Sequence, residues 1–104
     1  MLSLKKLLYK MLTYSKGYAV SASVSWNVTF TGTYTTTELS IASAVPSGYK
    51  PIAVIGEATG ANDVYFYQVG IVSETNKTAV VQLKRTTTGA VSCTPRVRVI
   101  SVRA

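Results

Sequence analysis

The sequence predicts an all-β protein, a small antiparallel β-sandwich or jelly roll with a short N-terminal α-helix. Its 104 residues suit one compact domain. Hydrophobic residues make up 47% of the chain and charged residues only 14%, so Ser and Thr fill most polar positions, as is typical of antiparallel strands. Turn signals recur about every 8–15 residues, which is the spacing of a sandwich or jelly roll.

Residues 1–16 are predicted to form an amphipathic helix, and residues 17–104 the β-domain. Apolar side chains recur in the first segment at intervals of three and four residues, which places them on one helix face. The positions expected at an oligomer interface are Leu4, Leu7, Leu8, Met11 and Tyr14. Because so short a helix is marginal in water, it must pack on its own sheet or on copies of itself. Its basic opposite face leaves a membrane-surface helix as a third alternative.

From residue 18 the hydrophobic period changes to two, which is typical of a strand with one buried face. In residues 18–31 the even positions are mainly apolar, whereas the odd positions are mainly Ser, Thr and Asn. This alternation predicts that Trp26 belongs to the core and that the strand ends at Gly32. A weaker, Thr-rich strand is predicted over residues 34–41.

The stretch PSGYKPIAVIG, residues 46–56, joins a turn to a short apolar run. Its Pro-Ser-Gly start is typical of a turn, and residues 52–55 are predicted as a strand buried on both faces. Residues 56–63 are predicted as a loop. Tyr49, beside the turn, is a candidate contact between subunits.

Three more strands are predicted in the rest of the chain, separated by polar turns. They cover residues 64–72, 79–85 and 91–102. In the first of them Tyr65 and Tyr67 share a face, because side chains two residues apart point the same way. Cys93, in the last strand, is predicted to be buried as a small apolar residue.

The last predicted strand contains Pro95, which implies an edge position or a bulge. The apolar phase changes after Val99, which suggests a second bulge. Arg96 and Arg98 alternate with valines and are expected to face solvent from an outer strand.

The composition disfavours an enzyme, a metal site or a cofactor site. The chain has no His, so an ordinary Ser-His or Cys-His pair cannot form, and its single Cys makes neither an intrachain disulfide nor a cysteine zinc site. Three of the four acidic residues, Glu57, Asp63 and Glu74, fall in predicted loops. No catalytic, cofactor-binding or metal-ligating residue is therefore assigned.

A formal charge of +7 makes a nucleic acid or an anionic surface a legitimate candidate partner. Arg96 and Arg98, together with Tyr65 and Tyr67, form a basic and aromatic set like that of single-strand binders. Packing and solubility explain the same residues more simply, so nucleic acid is disfavoured. The N-terminal segment is too short and too charged to span a bilayer, and it has no uninterrupted apolar region of a signal peptide.

The stretch from PSGYKPIAVIG through VYFYQVGIV and NKT to AVVQLKRTTTGAVSCTPRVRVISVRA resembles C-terminal head domains of phage and prophage proteins. These are the tail-fibre and receptor-binding proteins that act on Gram-positive bacteria, and the resemblance covers about residues 45–104. It implies a homotrimer in which a stem, here the segment LSLKKLLYKMLTY, leads into a β-head that binds a cell-surface carbohydrate. It also implies a virion location, after synthesis in the bacterial cytoplasm without a signal peptide.

The expected function is thus non-enzymatic adhesion to host carbohydrate, with other virion proteins as neighbours and no cofactor. The residues expected to contact the ligand are Asn62, Asp63, Tyr65 and Asn76, from loops, turns and one adjacent strand position. Two alternatives remain open. One is a purely structural virion protein, such as a capsid decoration or tail connector protein, and the other is a basic nucleic-acid-binding module.

Overall fold

The computed structural model describes residues 19–87 and 90–104, and most of this part of the chain is β-strand. One short 3₁₀ turn, Ala42–Ala44, interrupts the strands. The eight strands are β1 (Ala19–Ser25), β2 (Val28–Phe30), β3 (Tyr34–Ser40), β4 (Tyr49–Ala58), β5 (Val64–Ser73), β6 (Thr78–Arg85), β7 (Val91–Cys93) and β8 (Arg96–Arg103). The predicted all-β class is confirmed. The predicted helix over residues 1–16 lies outside the described residues.

The strands form three antiparallel sheets, ordered β1-β8-β4, β2-β7 and β3-β6-β5. The chain from β1 to β3 pairs in turn with β8, β7 and β6, so these six strands make one long, interrupted ribbon. A third path, β4 followed by β5, pairs along the other side of β8 and β6. β8 is therefore the central strand of one three-stranded sheet, and β6 is the central strand of the other.

The ribbon is interrupted where two short connections face each other. Trp26 and Asn27 separate β1 from β2, and Thr94 and Pro95 separate β7 from β8. The backbone N–H of Trp26 still donates to the backbone carbonyl of Pro95 at 3.3 Å. The Thr94 hydroxyl donates to Asn27 Oδ1 at 3.1 Å. Pro95 thus lies in a break between β7 and β8, and not at the edge position or bulge that was predicted, because proline has no N–H with which to continue the ladder.

One hydrophobic cluster draws side chains from all three sheets. Its members are Val24, Val28, Phe30, Ile41, Ala44, Val45, Val64, Ala79, Val81, Leu83, Cys93, Val97 and Val99. The even series predicted to face inward before Gly32 is confirmed by Val24, Val28 and Phe30, and the half-buried Trp26 packs against the cluster. Cys93 is buried, as predicted.

The inner sides of β4 and β5 touch directly at Gly56. The Phe66 ring lies so close that a Cβ atom at position 56 would overlap Phe66 Cδ2. Phe66 itself packs against the hydrophobic cluster. A residue without a side chain is therefore required for this approach between the two three-stranded sheets.

The sequence-based prediction of β4 was wrong in two respects. The strand is longer than residues 52–55 and includes Glu57, which had been placed in a loop. It is also not buried on both faces, since Ile52 and Ile55 are 49% and 52% exposed. The reason is that β4 lies at the edge of its sheet, with register shifts between Pro51 and Ala53 and between Gly56 and Ala58, and that among residues 19–87 and 90–104 no further layer covers its outward side.

The prediction of an outer strand carrying Arg96 and Arg98 was also wrong, because β8 lies between β1 and β4. The two arginines do face solvent, with side chains 50% and 43% exposed. The bulge suggested after Val99 is found in the pairing of β8 with β4, where the register shifts between Pro51 and Ala53, opposite Ser101 and Ile100. The pairing of β8 with β1 is regular at this point. The phase change arises because β8 is central, so that Ile100 on its outward side is half-covered by neighbouring strands.

Candidate ligand-binding face

The outward side of the sheet β3-β6-β5 carries three tyrosines around one lysine. Tyr34 on β3 and Tyr65 on β5 are both paired with Lys84 on the central strand β6, so these residues form one row across the sheet. Tyr67 lies at the register shift between Phe66 and Gln68. Its ring meets the Tyr34 ring edge to face, with centroids 5.6 Å apart and planes at 77°. Tyr34, Tyr65, Tyr67 and Lys84 are together called the tyrosine face.

The three rings of the tyrosine face remain accessible to a ligand. Tyr34 is 47% exposed, Tyr65 is 41% exposed and Tyr67 is 57% exposed. Tyrosine presents an apolar ring and a hydroxyl that can donate and accept hydrogen bonds. The three rings stand on paired strands, so the backbone that carries them is in place before any ligand arrives.

The ammonium group of Lys84 lies over two of these rings, those of Tyr34 and Tyr67. Its Nζ atom is 5.0 Å from the Tyr34 ring centroid and 5.6 Å from that of Tyr67, within the range of cation–π attraction. Hydrogen bonding to Tyr34 raises the pKa of Lys84, and the nearby Tyr65 adds to the effect. Among residues 19–87 and 90–104, no carboxylate forms an ion pair with Lys84.

Polar side chains continue the outward side of this sheet away from the tyrosines. The next row is Thr36, Gln82 and Gln68, and the row after it is Glu38, Val80 and Gly70. Successive rows on one side of a sheet are roughly 7 Å apart. The face thus changes from aromatic and cationic, through amide and hydroxyl, to one carboxylate.

Of the residues predicted to contact a ligand, Tyr65 lies in the tyrosine face, and Asn62 is exposed in the loop just before β5. Asp63 is occupied by contacts within the protein. Its Oδ2 atom accepts a hydrogen bond from the Thr87 hydroxyl and lies 3.3 Å from both Nε and Nη2 of the buried Arg85. The bond from Thr87, followed by that from Arg85, lowers the pKa of Asp63.

Asn76 and Tyr49 lie elsewhere. Asn76 is exposed in the turn between β5 and β6, where its backbone N–H donates to the Ser73 hydroxyl at 3.0 Å. Eight residues of strand separate Tyr65 from Ser73, which is roughly 25 Å. Tyr49 begins β4 in the other three-stranded sheet and packs, half-buried, against the hydrophobic cluster. The structure therefore does not bring Asn76 or Tyr49 to the tyrosine face.

Sequence reasoning missed Tyr34 and Lys84 as members of the site. Tyr67 had been placed on one side with Tyr65, and the two do lie together on the outward side. Tyr34 and Lys84 join them only through the pairing of β6 with both neighbours. The available signal was the alternation in β6, which puts Lys84 and Gln82 opposite the apolar Val81 and Leu83.

A second set of polar contacts lies on the outward side of the sheet β1-β8-β4. Glu57 accepts hydrogen bonds from Ser23 Oγ at 2.8 Å, from Arg96 Nε at 2.7 Å and from Arg98 Nε at 2.6 Å. Arg98 also donates to the Ser21 hydroxyl at 3.0 Å. The bonds from Arg98, Ser23 and Arg96 lower the pKa of Glu57 to about 2. Both arginines are thus engaged by a carboxylate, which weakens their case as phosphate contacts.

The acidic groups at these contacts are held as carboxylates, whereas a general acid needs a raised pKa. Within the described residues, no group of three or more His, Cys, Asp or Glu side chains is placed to hold a metal ion. The same part of the chain has no helix long and apolar enough to cross a membrane.

Comparison of the chain with protein-family models, with curated proteins and with solved structures found no match. The geometry of the tyrosine face and the residues themselves are therefore the basis for a proposed function.

Proposed function

We propose that this protein is a non-enzymatic adhesion module that binds carbohydrate through the tyrosine face. The supporting observation is the set of three exposed rings around Lys84 on adjacent strands. Sugar rings present apolar C–H groups that pack on aromatic rings and hydroxyls that need hydrogen-bonding partners. A tyrosine-rich surface with neighbouring amide groups meets both needs.

The wider context of this proposal is a phage particle. We propose a tail-fibre or receptor-binding head that attaches to host cell-surface carbohydrate, located on the virion as a homotrimer with residues 1–16 as a stem. Support comes from the resemblance of residues 45–104 to such heads. A shallow face binds each sugar weakly, and several copies on one particle would compensate through avidity.

The finer description of the fold belongs to the same proposal. We propose that the two three-stranded sheets face each other as a small sandwich. It is supported by the shared hydrophobic cluster and by the contact of Phe66 on β5 with Gly56 on β4. The outward side of each sheet would then be free for a partner, as the tyrosine face requires.

The test of adhesion is binding of the purified protein to a broad glycan array and to isolated bacterial cell walls. We expect Tyr67→Ala to weaken binding about tenfold or more, because the loss of one stacked ring removes roughly 1.5–3 kcal/mol of apolar contact. Ile55→Ala is the matched control, since Ile55 is similarly exposed at 52% but lies on the other sheet. Circular dichroism checks that both variants fold.

Two results would contradict the proposal. One is the absence of binding to any glycan or cell wall by the folded wild-type protein. The other is equal loss of binding in Tyr67→Ala and Ile55→Ala, which would show that the tyrosine face has no special part in recognition.

A purely structural virion protein is the second candidate. The observation that favours it is the pair of exposed isoleucines, Ile52 and Ile55, on the edge strand β4. Exposed apolar side chains at an edge are suited to packing against another subunit. In this role the protein would contact neighbouring virion proteins and bind no carbohydrate.

A further inference from the structure

We infer that the tyrosine face takes an acidic glycan, lying along the strands with a negatively charged group beside Lys84. This inference rests on the proposed adhesion function and names the chemical class of its ligand. It follows from the charge of Lys84, from its surroundings and from the order of the rows on the sheet.

The charge of Lys84 favours an anionic ligand. The guanidinium groups of Arg85, Arg96 and Arg98 each contact a carboxylate. Lys84 instead lies among aromatic rings, which attract the ammonium group without cancelling its charge. An anionic ligand would supply the missing opposite charge at the centre of the tyrosine face.

The tyrosine rings next to Lys84 strengthen its attraction for an anion. The rings of Tyr34 and Tyr67 stand next to the ammonium group and exclude part of its water. Attraction between opposite charges strengthens as the effective dielectric constant falls. A sugar stacked on these rings would exclude more water, so that stacking and ion pairing would strengthen each other. The ordinary pKa of lysine already keeps Lys84 charged in the neutral range, and hydrogen bonding to Tyr34 raises this pKa further.

The order of the rows on the sheet sets the direction in which the ligand lies. From Lys84 the rows lead along the strands to Gln82 and then to the level of Glu38. A chain of sugars in this direction meets first a cation, then amide and hydroxyl groups, and then a carboxylate about 14 Å from the start. The face therefore fits a ligand with one acidic group at the tyrosine end and neutral sugars beyond it.

The same order of rows disfavours single-stranded nucleic acid. Such binders use a positively charged groove that follows a phosphate on every nucleotide. Here the outward strand positions from Tyr34 to Glu38 and their partners on β6 and β5 carry one cation, Lys84, and one anion, Glu38. A regular polyanion would meet repulsion at Glu38.

The experiment applies the full-length protein to an array of neutral, uronic-acid-bearing, sialylated and phosphate-bearing glycans, with single-stranded DNA as an additional probe. We expect acidic glycans to bind best and Lys84→Met to weaken them about tenfold or more. Tyr67→Ala should weaken acidic and neutral glycans alike. Lys50→Met is the matched control, because Lys50 is exposed on the other three-stranded sheet. Binding of acidic glycans should also fall as salt is raised.

Each outcome separates this inference from the proposal on which it rests. Binding of neutral glycans that Lys84→Met leaves unchanged would overturn the acidic ligand and leave adhesion standing. Binding of no glycan would overturn both. Preference for DNA over every glycan would also overturn both and favour a nucleic-acid-binding module. Carboxylate-bearing and phosphate-bearing spots distinguish the two sources of negative charge.

Discussion

At the residue scale, Gly56 controls how closely two strands approach. It occupies an inward position of β4, paired with Val97, where most side chains would point into the protein. The Phe66 ring fills the space that a Cβ atom would take. Glycine costs a strand some conformational entropy, and here that cost is offset by the packing of an aromatic ring on the backbone.

Gly56→Ala is expected to lower the free energy of unfolding by about 1–3 kcal/mol, because the added methyl group overlaps the Phe66 ring. Chemical denaturation followed by intrinsic fluorescence measures the change. Gly70→Ala is the matched control, since a Cβ atom at Gly70 has no neighbour within 4 Å. A loss in Gly70→Ala as large as that in Gly56→Ala would show that strand flexibility, not overlap with Phe66, is responsible.

Single residues also show where sequence reasoning succeeded and failed. Val24, Val28 and Phe30 could be placed in the core, because alternation along one strand is a local pattern. Ile52 and Ile55 could not be placed correctly. A short apolar run predicts a strand buried on both faces. Whether each face is buried depends on another layer covering it, and Ile52 and Ile55 are exposed.

At the element scale, Glu57 joins β4 to β8, and Arg98 joins β8 to β1 through Ser21. Both contacts lie on the outward side of the sheet, away from the hydrophobic cluster of the described residues. The network therefore reinforces an edge strand whose regular pairing is interrupted by two register shifts. Because its members are exposed, salt should weaken it.

Glu57 gives the fold a specific dependence on acid. Its pKa is about 2 in the folded protein, against an ordinary value of 4.5. The unfolded chain therefore takes up this proton first as the pH falls. The contribution of Glu57 is complete above about pH 4.5 and is lost progressively towards pH 2.

Glu57→Gln is expected to be less stable than the wild type at pH 7 and to lose less stability between pH 4.5 and pH 2. Thermal melts at a series of pH values measure both effects. Glu38→Gln is the control, since Glu38 forms no ion pair within the described part of the chain. If both variants follow the wild-type pH profile, the arginine contacts of Glu57 do not contribute to stability.

The register between strands explains why the candidate site was only partly predictable. Tyr65 and Tyr67 lie on one strand, so their common side follows from the sequence alone. Tyr34 and Lys84 join them through pairing between strands that are distant in the sequence, and register follows from the packing of the whole sheet. Asp63 appeared to be a free loop carboxylate because nothing near it in the sequence indicates its contact with Arg85.

At the scale of the whole molecule, the proposed assembly has two candidate interfaces. Trimerisation through residues 1–16 depends on the predicted stem. Assembly through β4 depends on the exposed Ile52 and Ile55. The first leaves the tyrosine face to act as a head, whereas the second makes the protein a building block of a larger particle.

Light scattering at micromolar concentration separates the two modes of assembly. We expect a trimer that Leu7→Asp dissociates and Ile55→Ser leaves intact, because a charge in an apolar helix interface is costly to bury. The reverse pattern, with dissociation only in Ile55→Ser, would favour the structural virion protein. A monomeric wild type would contradict the trimeric stem.

The central position of β6 and β8 has a consequence for synthesis. The first five strands leave the ribosome with no partner, because each pairs with β6, β7 or β8. Ser21 and Arg98, which bond to each other in the finished sheet, are 77 residues apart. At usual translation rates, residues 78–103 follow after a further delay on the order of 1–5 s. During that time the unpaired strands are open to aggregation, and we expect the Ser- and Thr-rich positions of β1 and β3 to limit it until the last strands arrive.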